Sequence, residues 1–228
     1  MIERLEWDSD FFNLEIGKVT IDNLEDLAQY EMNKFDLIYV FSNNPHLSLK
    51  LVDQKIIYEI DLVTLRNHIE NKEILFYDAK KDNYNDLLDL TLQSGVYSRF
   101  KLDPNFRNNE YEKLYKTWID KSISRELASD IIISKIDSKV VGFTTLAKKS
   151  DDLADISLVA VDSNYRGQGI AKKIIHNTLL TAKEREYKKV QVVTQLINEP
   201  ANNLYIKSGF KRKSLTYIYH IWKHDPIQ

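Results

Sequence analysis

Residues 166–171 form a basic, glycine-containing segment that could bind an anionic group. They read Arg166-Gly167-Gln168-Gly169-Ile170-Ala171 and follow a mostly apolar run at 156–161. Glycine allows the backbone to approach a ligand closely, and the unpaired N–H groups at a helix start favour negative charge. Arg166 adds a fixed cation that can hydrogen-bond phosphate. The segment therefore predicts an anion site, and the alternative is an ordinary strand–turn–helix connection with a solvated arginine.

Two predicted elements must position this segment. Residues 156–161 read as a buried strand that leads into it. After it, small and apolar side chains recur at the helical period, while charged side chains fall mainly on the other side. The recurring positions are Ala171, Ile174, Ile175, Thr178, Leu179 and Ala182.

A second segment with distinctive spacing follows the next strand-like run, at 189–194. It reads Asn198-Glu199-Pro200-Ala201-Asn202-Asn203-Leu204-Tyr205-Ile206-Lys207-Ser208-Gly209-Phe210. Together the two segments resemble the GCN5-related N-acetyltransferases, the GNAT superfamily. The superfamily pattern Arg/Gln-x-x-Gly-x-Gly/Ala matches Arg166, Gly169 and Ala171. The pattern Asn-x-x-Ala-x-x-Leu-Tyr-x-x-x-Gly-Phe matches the second segment at every defined position.

The resemblance implies an N-acetyltransferase that uses acetyl-CoA as co-substrate and needs no metal. It implies that residues 166–171 bind the coenzyme phosphates and that the backbone amides of Val159 and Val161 bind the thioester carbonyl oxygen. Asn198 corresponds to the asparagine that hydrogen-bonds the pantetheine arm, and Tyr205 to the tyrosine that protonates or hydrogen-bonds the departing thiolate. Because the chain has no cysteine to carry an acyl group, direct transfer in a ternary complex is favoured.

The residues themselves leave alternatives open. Tyr205 also fits a core tyrosine that packs beside Phe210, and Asn198 also fits a turn at the end of a strand. Asp155 is a candidate general base, but an exposed loop carboxylate is an equal interpretation, and many relatives pass the proton through water. The five histidines show no ligand or nucleophile spacing.

Residues 94–106 join two predicted helices and carry aromatic, hydroxyl and cationic groups. In the superfamily this connection forms a wall of the acceptor pocket, so Tyr97, Ser98 and Arg99 are candidate substrate residues; an ordinary loop is the alternative. This connection, the segment at 7–13 and the two-domain length of the chain together resemble those of the dTDP-fucosamine acetyltransferases. That resemblance implies a dTDP-linked 4-amino-4,6-dideoxy sugar as the favoured acceptor, made for a surface polysaccharide. A peptide, antibiotic or polyamine amine is an alternative acceptor, and an acyl-CoA-binding protein without catalysis is a third hypothesis.

The predicted fold class is α/β (α+β). A mixed, largely antiparallel GNAT sheet with flanking helices is predicted at 71–228, preceded by a small α/β N-terminal domain at 1–70. In the first domain the pattern predicts strands at 18–21, 35–41 and 55–62, a helix at 24–33 and a helical turn at 46–52. In the second it predicts helices at 84–92, capped by Asp82, and at 109–122, with strands at 73–78, 131–136, 140–146, 190–195 and 215–222.

Composition limits the remaining functional classes. The hydrophobic content of 43% and charged content of 29% are ordinary for a globular protein. The absence of cysteine, of a signal pattern and of a membrane-length apolar run predicts a cytoplasmic protein with no membrane partner. A pI of about 6.2 argues against nucleic acid as a partner. The predicted partners are a coenzyme A thioester, which the lysine-rich C-terminal half suits, and a small amine; relatives often form homodimers.

Overall fold

The computed structural model describes residues 1–64 and 74–224. The described residues fall into two compact units. The smaller unit contains residues 1–56, 195–197 and 214–224, and the larger unit contains residues 57–64, 74–194 and 198–213. The predicted boundary between domains at 1–70 and 71–228 lies outside the described residues and stays a prediction.

The described residues form strands and helices that are numbered here in chain order. The strands are β1 (Glu3–Arg4), β2 (Ile16–Thr20), β3 (Leu37–Ser42), β4 (Leu51–Asp61), β5 (Leu75–Phe76), β6 (Asp130–Ile136), β7 (Lys139–Lys148), β8 (Leu153–Val161), β9 (Lys189–Gln195) and β10 (Lys211–Trp222). The helices are α1 (Glu6–Phe12), α2 (Tyr84–Ser94), α3 (Arg99–Leu102), α4 (Glu110–Ile123), α5 (Ile170–Glu184) and α6 (Glu199–Lys207).

The smaller unit is built on four neighbouring strands in the order β1-β2-β3-β10. β2 and β3 are parallel, and the other two pairs are antiparallel. The predicted strand at 215–222 is β10, which begins four residues earlier. Because strand side chains alternate between the two faces of a sheet, one face carries a buried cluster of Val19, Ile21, Leu27, Ile38, Val40 and Tyr219.

The helical predictions for the first forty residues need correction. The predicted helix at 24–33 is a 3₁₀ turn at Leu24–Gln29, which ends because Tyr30 is extended, with φ −105° and ψ 139°. The sequence pattern also missed α1. In α1, Trp7 and Phe11 lie one turn apart and stack with ring centres 4.8 Å apart, as residues at i and i+4 of a helix do.

The predicted helical turn at 46–52 is shorter than expected. One turn forms, in which the Leu49 N–H donates to the His46 carbonyl oxygen at 3.3 Å. β4 then begins at Leu51, so the last two residues of the predicted turn belong to this strand. The segment forms a strand because every second side chain is buried, as Ile56, Tyr58 and Ile60 show.

The larger unit has the strand order β4-β9-β8-β7-β6-β5. β5 to β8 pair antiparallel in turn, whereas β8 and β9 are parallel. The predicted hairpin connection at 137–139 is confirmed, because Asp137 and Ser138 join β6 and β7 with φ of 48° and 69°, as a two-residue hairpin favours. α2 and α5 pack against β7 and β8. The prediction of a mixed, largely antiparallel sheet with flanking helices is therefore confirmed.

Helices α2 and α4 match the predictions at 84–92 and 109–122, but the predicted cap of α2 is wrong. Asn83 is the N-cap, and its side-chain oxygen accepts a hydrogen bond from the Asn85 N–H at 2.9 Å. Asp82 is instead buried and forms an ion pair with Lys135. A side chain caps a helix only from the last non-helical residue, since only there does it reach the free amides.

Glu59 of β4 binds two lysines of the larger unit through its carboxylate. One lies on β9, and the other is Lys213 at the start of β10, a residue that also belongs to the larger unit. The Glu59 oxygens accept hydrogen bonds from Lys189 of β9 at 3.0 Å and from Lys213 of β10 at 2.6 Å. The side chain of Glu59 is 17% exposed. The hydrogen bond from Lys213, reinforced by the one from Lys189, lowers the pKa of Glu59 against the opposing effect of burial.

We expect Glu59→Gln to lower the free energy of unfolding by about 1 kcal/mol near neutral pH, because it weakens both ion pairs. A carboxyl whose folded pKa lies below its unfolded value of about 4.3 stabilises the protein above that value, and the stabilisation is lost as pH falls through the folded pKa. Denaturant unfolding of wild type and variant should therefore differ by a constant amount at neutral pH and converge below about pH 4. The exposed Lys148–Asp151 pair provides the control. Asp151→Asn should leave the free energy of unfolding unchanged within the error of the measurement, and an equal effect of both substitutions at every pH would contradict the role of Glu59.

Candidate functional site

The pairing of β8 with β9 ends before either strand does. The two strands pair in parallel from Leu153 opposite Lys189 to Ile156 opposite Val192. β8 continues for five more residues and β9 for three more without pairing to each other. Within the part of the chain that the structure describes, no other strand pairs with β8 on that side, so the edge of β8 that faces β9 is open over its second half.

The amides of Val159 and Val161 point to this open edge. The Leu158 N–H donates to Thr145 Oγ1 at 2.9 Å, and the Asp162 N–H donates to the Val141 carbonyl oxygen at 2.9 Å, so both point towards β7. Successive amides of a strand point to opposite edges. The amides of Val159 and Val161, two half-buried residues, consequently point away from β7, towards the edge where β8 no longer pairs with β9.

Arg166 lies at the same edge of β8. Its Nε donates to the Val161 carbonyl oxygen at 3.1 Å, and the N–H and C=O of one strand residue point to the same side. Between them, Asp162 starts a 3₁₀ turn at Ser163–Tyr165 by accepting a hydrogen bond from the Asn164 N–H at 2.9 Å. The neighbouring Lys139 ammonium, and then that amide, lower the pKa of Asp162. The turn thus holds a guanidinium beside the open amides.

Two glycines give the segment its backbone path into α5. Gly167 and Gly169 both have φ of +78°, the left-handed region that favours glycine, and a Cβ built on either would meet no atom within 4 Å. Gly169 is the N-cap of α5, and its carbonyl accepts the first helical hydrogen bond from the Lys173 N–H. The amides of the first helical turn, including Ile170 and Ala171, precede that bond and remain available to a ligand. Gln168 is exposed between the two glycines.

The second segment forms α6, with Asn198 as its N-cap. The Asn198 side-chain oxygen accepts a hydrogen bond from the Ala201 N–H at 3.3 Å. Asn198 therefore has a structural role in the connection that follows β9, as the alternative interpretation proposed. Its amide group stays a potential donor. Asn202 and Tyr205 follow at i+4 and i+7 and share one face of α6 with Asn198. Tyr58 of β4 donates to Asn202 Oδ1 at 3.0 Å on that face.

Tyr205 is a buried tyrosine with aromatic neighbours. It is 3% exposed, and its ring centre lies 5.8 Å from that of Tyr58 and 5.9 Å from that of Phe210. The core-packing interpretation is therefore correct for the ring. Burial raises the pKa of the phenol above its ordinary value, because a phenolate would be poorly solvated there. A phenol is already protonated near neutral pH, and burial extends that range upward, so the hydroxyl can donate a hydrogen bond.

The candidate substrate residues lie at the start of α3. Ser98 is buried and caps that helix, since its Oγ accepts a hydrogen bond from the Phe100 N–H at 3.3 Å. The Arg99 guanidinium lies 4.4 Å from the centre of the Phe100 ring, and Tyr97 is half-buried. Ser98 thus has a structural role that the sequence pattern did not indicate. The role of the three residues in acceptor binding stays a prediction.

Asp155 belongs to β8 and not to an exposed loop. Its carboxylate accepts hydrogen bonds from Ser157 Oγ and from Gln191 Nε2 of β9, each at 2.7 Å. The sequence pattern missed Ser157 and Gln191. Ser157 could have been noticed in the sequence, because its hydroxyl interrupts an otherwise apolar strand segment. No local pattern could have indicated Gln191, because it is 36 residues from Asp155.

Within residues 1–64 and 74–224, no helix combines the length and apolar character needed to cross a membrane. The same residues contain no cluster of three or more histidine, aspartate or glutamate side chains arranged as they would be around a metal ion.

The sequence profile of the acetyltransferase (GNAT) family matches residues 95–210, slightly more than half of the chain. The chain belongs to the GNAT family. The match includes the open edge of β8, the glycine segment and α6. In structure, this GNAT protein resembles the GCN5-related N-acetyltransferase from Sphaerobacter thermophilus, with a TM-score of 0.57 and 13% identity over 83% of this chain and 60% of that one. At that identity the likeness concerns the fold alone.

Two curated relatives cover parts of this GNAT protein. It is 26% identical over 136 residues to the spore coat polysaccharide biosynthesis protein SpsD of Bacillus subtilis, which is 60% of this chain and 46% of SpsD. It is 33% identical over 112 residues to human N-acetyltransferase 8B, which is 46% of this chain and 48% of that protein. The chain spans about half the length of the curated relatives it matches.

Proposed function

We propose that this chain transfers acetyl from acetyl-CoA directly to a primary amine, with a nucleotide-linked amino sugar as the favoured acceptor. The observation that carries this proposal is the open edge of β8, where two outward amides lie beside the Arg166 guanidinium and the start of α5. GNAT family membership supplies the class of chemistry. The side chains and amides described above have the properties that such a reaction needs.

Acetyl-CoA binding is assigned to the glycine segment and the open edge. The coenzyme phosphates would lie against the first-turn amides of α5 and residues 166–171, where the helix dipole and Arg166 both favour negative charge. The pantetheine arm would extend along the open edge of β8 in the place of a missing strand. The Asn198 amide group is the proposed donor to this arm.

The transfer step needs stabilisation of an oxyanion and a proton for the leaving thiolate. The Val159 and Val161 amides are the proposed donors to the thioester oxygen, and one such donor can contribute about 3 kcal/mol to the transition state. Tyr205 is the proposed donor to the thiolate, because its phenol is protonated near neutral pH and can give a hydrogen bond. In this proposal the two kinds of donor are supplied by β8 and α6, and donors fixed by the fold stabilise developing charge without reorganising during the reaction.

The favoured acceptor is a dTDP-linked 4-amino-4,6-dideoxy sugar. Two observations support it: the resemblance to the dTDP-fucosamine acetyltransferases and the similarity to SpsD, whose name refers to polysaccharide biosynthesis. Tyr97, Ser98 and Arg99 are the proposed acceptor-side residues. A peptide, antibiotic or polyamine amine remains the second candidate acceptor, and the third hypothesis is coenzyme binding without catalysis.

Thiol release from acetyl-CoA tests this proposal. The purified protein is assayed with and without dTDP-4-amino-4,6-dideoxygalactose, and with a peptide N-terminus, an aminoglycoside and spermidine as matched alternative amines. We expect release that depends on the amino sugar, because direct transfer requires an acceptor in the complex. Release with another amine only would reassign the acceptor. Acetyl-CoA binding without release on any amine would contradict the enzymatic proposal and favour the non-catalytic hypothesis.

A further inference from the structure

Ser157 places a hydroxyl where β8 separates from β9. Ile156 is the last residue of β8 that pairs with β9, so Ser157 is the first residue of the open segment. It lies in a β-bulge, in which Ser157 and Leu158 face the single residue Thr145 of β7. Bulges often redirect a side chain next to an active site. Ser157 is exposed, and at about 3.3 Å per residue it lies within about 7 Å of the Val159 amide along the strand.

The Asp155 carboxylate is held in one orientation by hydrogen bonds to both oxygens. Ser157 Oγ donates to Oδ2 and Gln191 Nε2 donates to Oδ1, each at 2.7 Å. The residues paired with Asp155 are Gln191 of β9 and Ala147 of β7, and both are uncharged, as is Ser157. Lys189 lies two residues before Gln191, on the same face of β9, and its ammonium donates to Glu59 at 3.0 Å. Within the described ranges no lysine or arginine forms an ion pair with Asp155. A half-buried carboxylate in such surroundings favours the approach of a cation.

The Ser157 hydroxyl can connect that carboxylate to an acceptor. Because it gives its proton to Asp155, its oxygen lone pairs point elsewhere and can accept a hydrogen bond from an ammonium group. An alkyl amine is mainly protonated near neutral pH, yet it must be neutral to attack a thioester. Resting on the proposed function, we propose that Ser157 binds the acceptor ammonium and relays its proton to Asp155, while Gln191 is a positioning residue.

The proton transfers balance over the reaction. One ammonium proton moves to Ser157 Oγ as the serine hydroxyl proton moves to Asp155 Oδ2, which leaves a neutral amine, an intact serine and a neutral carboxyl. The amine nitrogen then forms a bond to the thioester carbon, and the C–S bond breaks to release a thiolate. The second proton lost by nitrogen balances the proton that the thiolate takes up, and Asp155 returns its proton to solvent.

The test compares wild type with Ser157→Ala, Ser157→Thr and Asp155→Asn, with dTDP-4-amino-4,6-dideoxygalactose as the probe. We expect Ser157→Ala and Asp155→Asn each to lower kcat/KM for the sugar by about 100-fold near neutral pH. The double variant should lose no more than either single one, because the two residues act as a unit. The loss should shrink as pH rises towards the pKa of the amine, since free amine needs no base. Ser157→Thr keeps the hydroxyl and should recover most of the rate.

A binding measurement distinguishes failure of the Ser157 relay from failure of the proposed acceptor. Calorimetry of the sugar with the CoA-bound protein should show affinity about tenfold weaker for Ser157→Ala, the effect of losing a hydrogen bond to a charged group, with acetyl-CoA affinity unchanged. Wild-type turnover that Ser157→Ala retains, or a loss that is the same at every pH, would overturn the relay alone. A wild-type protein that neither turns over nor binds the sugar would overturn the proposed acceptor and the relay with it.

Discussion

Tyr205→Phe is expected to lower kcat by about 100-fold while leaving the affinity for acetyl-CoA within about twofold of wild type. The substitution removes only the hydroxyl, so the ring keeps its contacts with Tyr58 and Phe210. In the proposed function the hydroxyl assists the thiolate only as the C–S bond breaks, so its loss should affect the transition state more than the bound coenzyme. Because burial raises the pKa of Tyr205, its ionisation should cause no fall in wild-type activity below about pH 10.

Tyr58→Phe is the matched control for this experiment. Tyr58 is buried to the same 3% exposure as Tyr205, and its hydroxyl donates to Asn202 on the same helix face. Loss of that hydrogen bond should cost about 1 kcal/mol of stability and change kcat by less than about threefold. Steady-state kinetics and calorimetric coenzyme binding measure both variants. Equal losses of turnover and coenzyme affinity in Tyr205→Phe would assign the residue to packing and not to proton donation.

Gly169→Ala is expected to weaken the binding of acetyl-CoA by about 30-fold or more, equivalent to about 2 kcal/mol. At φ of +78° an L-residue costs about 1–2 kcal/mol in backbone energy. Among the described residues, the added methyl group would meet no atom within 4 Å, and in the proposed function the coenzyme phosphates occupy this space. The effect on binding should therefore exceed the effect on stability, and titration calorimetry together with denaturant unfolding measures both.

Gly209 provides a control with the same backbone requirement. It has φ of +92°, and a Cβ there would lie 3.4 Å from Ile60 Cδ1, an ordinary van der Waals contact. Gly209→Ala should lose a similar free energy of unfolding, about 1–2 kcal/mol, but should keep its affinity for acetyl-CoA. If the two variants lose affinity equally, backbone strain and not the coenzyme site accounts for the effect of Gly169→Ala.

The parts of the fold that sequence patterns predicted well depend on local spacing. The period of α5 identified Ile174, Ile175, Leu179 and Ala182, all of which are buried, because one face of a helix must pack against the sheet. The turn between β6 and β7 was also predicted, because a short polar run separates two apolar strand segments. Its residues Asp137 and Ser138 adopt left-handed conformations. Element boundaries and caps were less accurate. Asp82 and Asn83 are both suitable capping residues, and only the position of the first helical turn selects between them.

The candidate site was predicted where its chemistry lies in contiguous segments. Residues 166–171 and 198–210 carry the family pattern because a close turn, a helix start and a capped helix each require particular residues at short spacing. Tyr205 illustrates the limit of this reasoning. The sequence offered packing or chemistry as alternatives, and the structure supports packing for the ring while leaving the protonated hydroxyl for the proposed chemistry.

The sequence by itself determined the family, the mixed sheet with flanking helices and the two segments that carry the family pattern, because short-range spacing encodes all of them. The family resemblance named the Val159 and Val161 amides, but only the tertiary structure showed that they face open space, since that depends on a bulge against β7 and on where pairing with β9 stops. The tertiary structure also decided the surroundings of Asp155. Gln191 approaches that carboxylate from a neighbouring strand 36 residues away, and contacts between distant segments arise from strand register, which no local pattern contains.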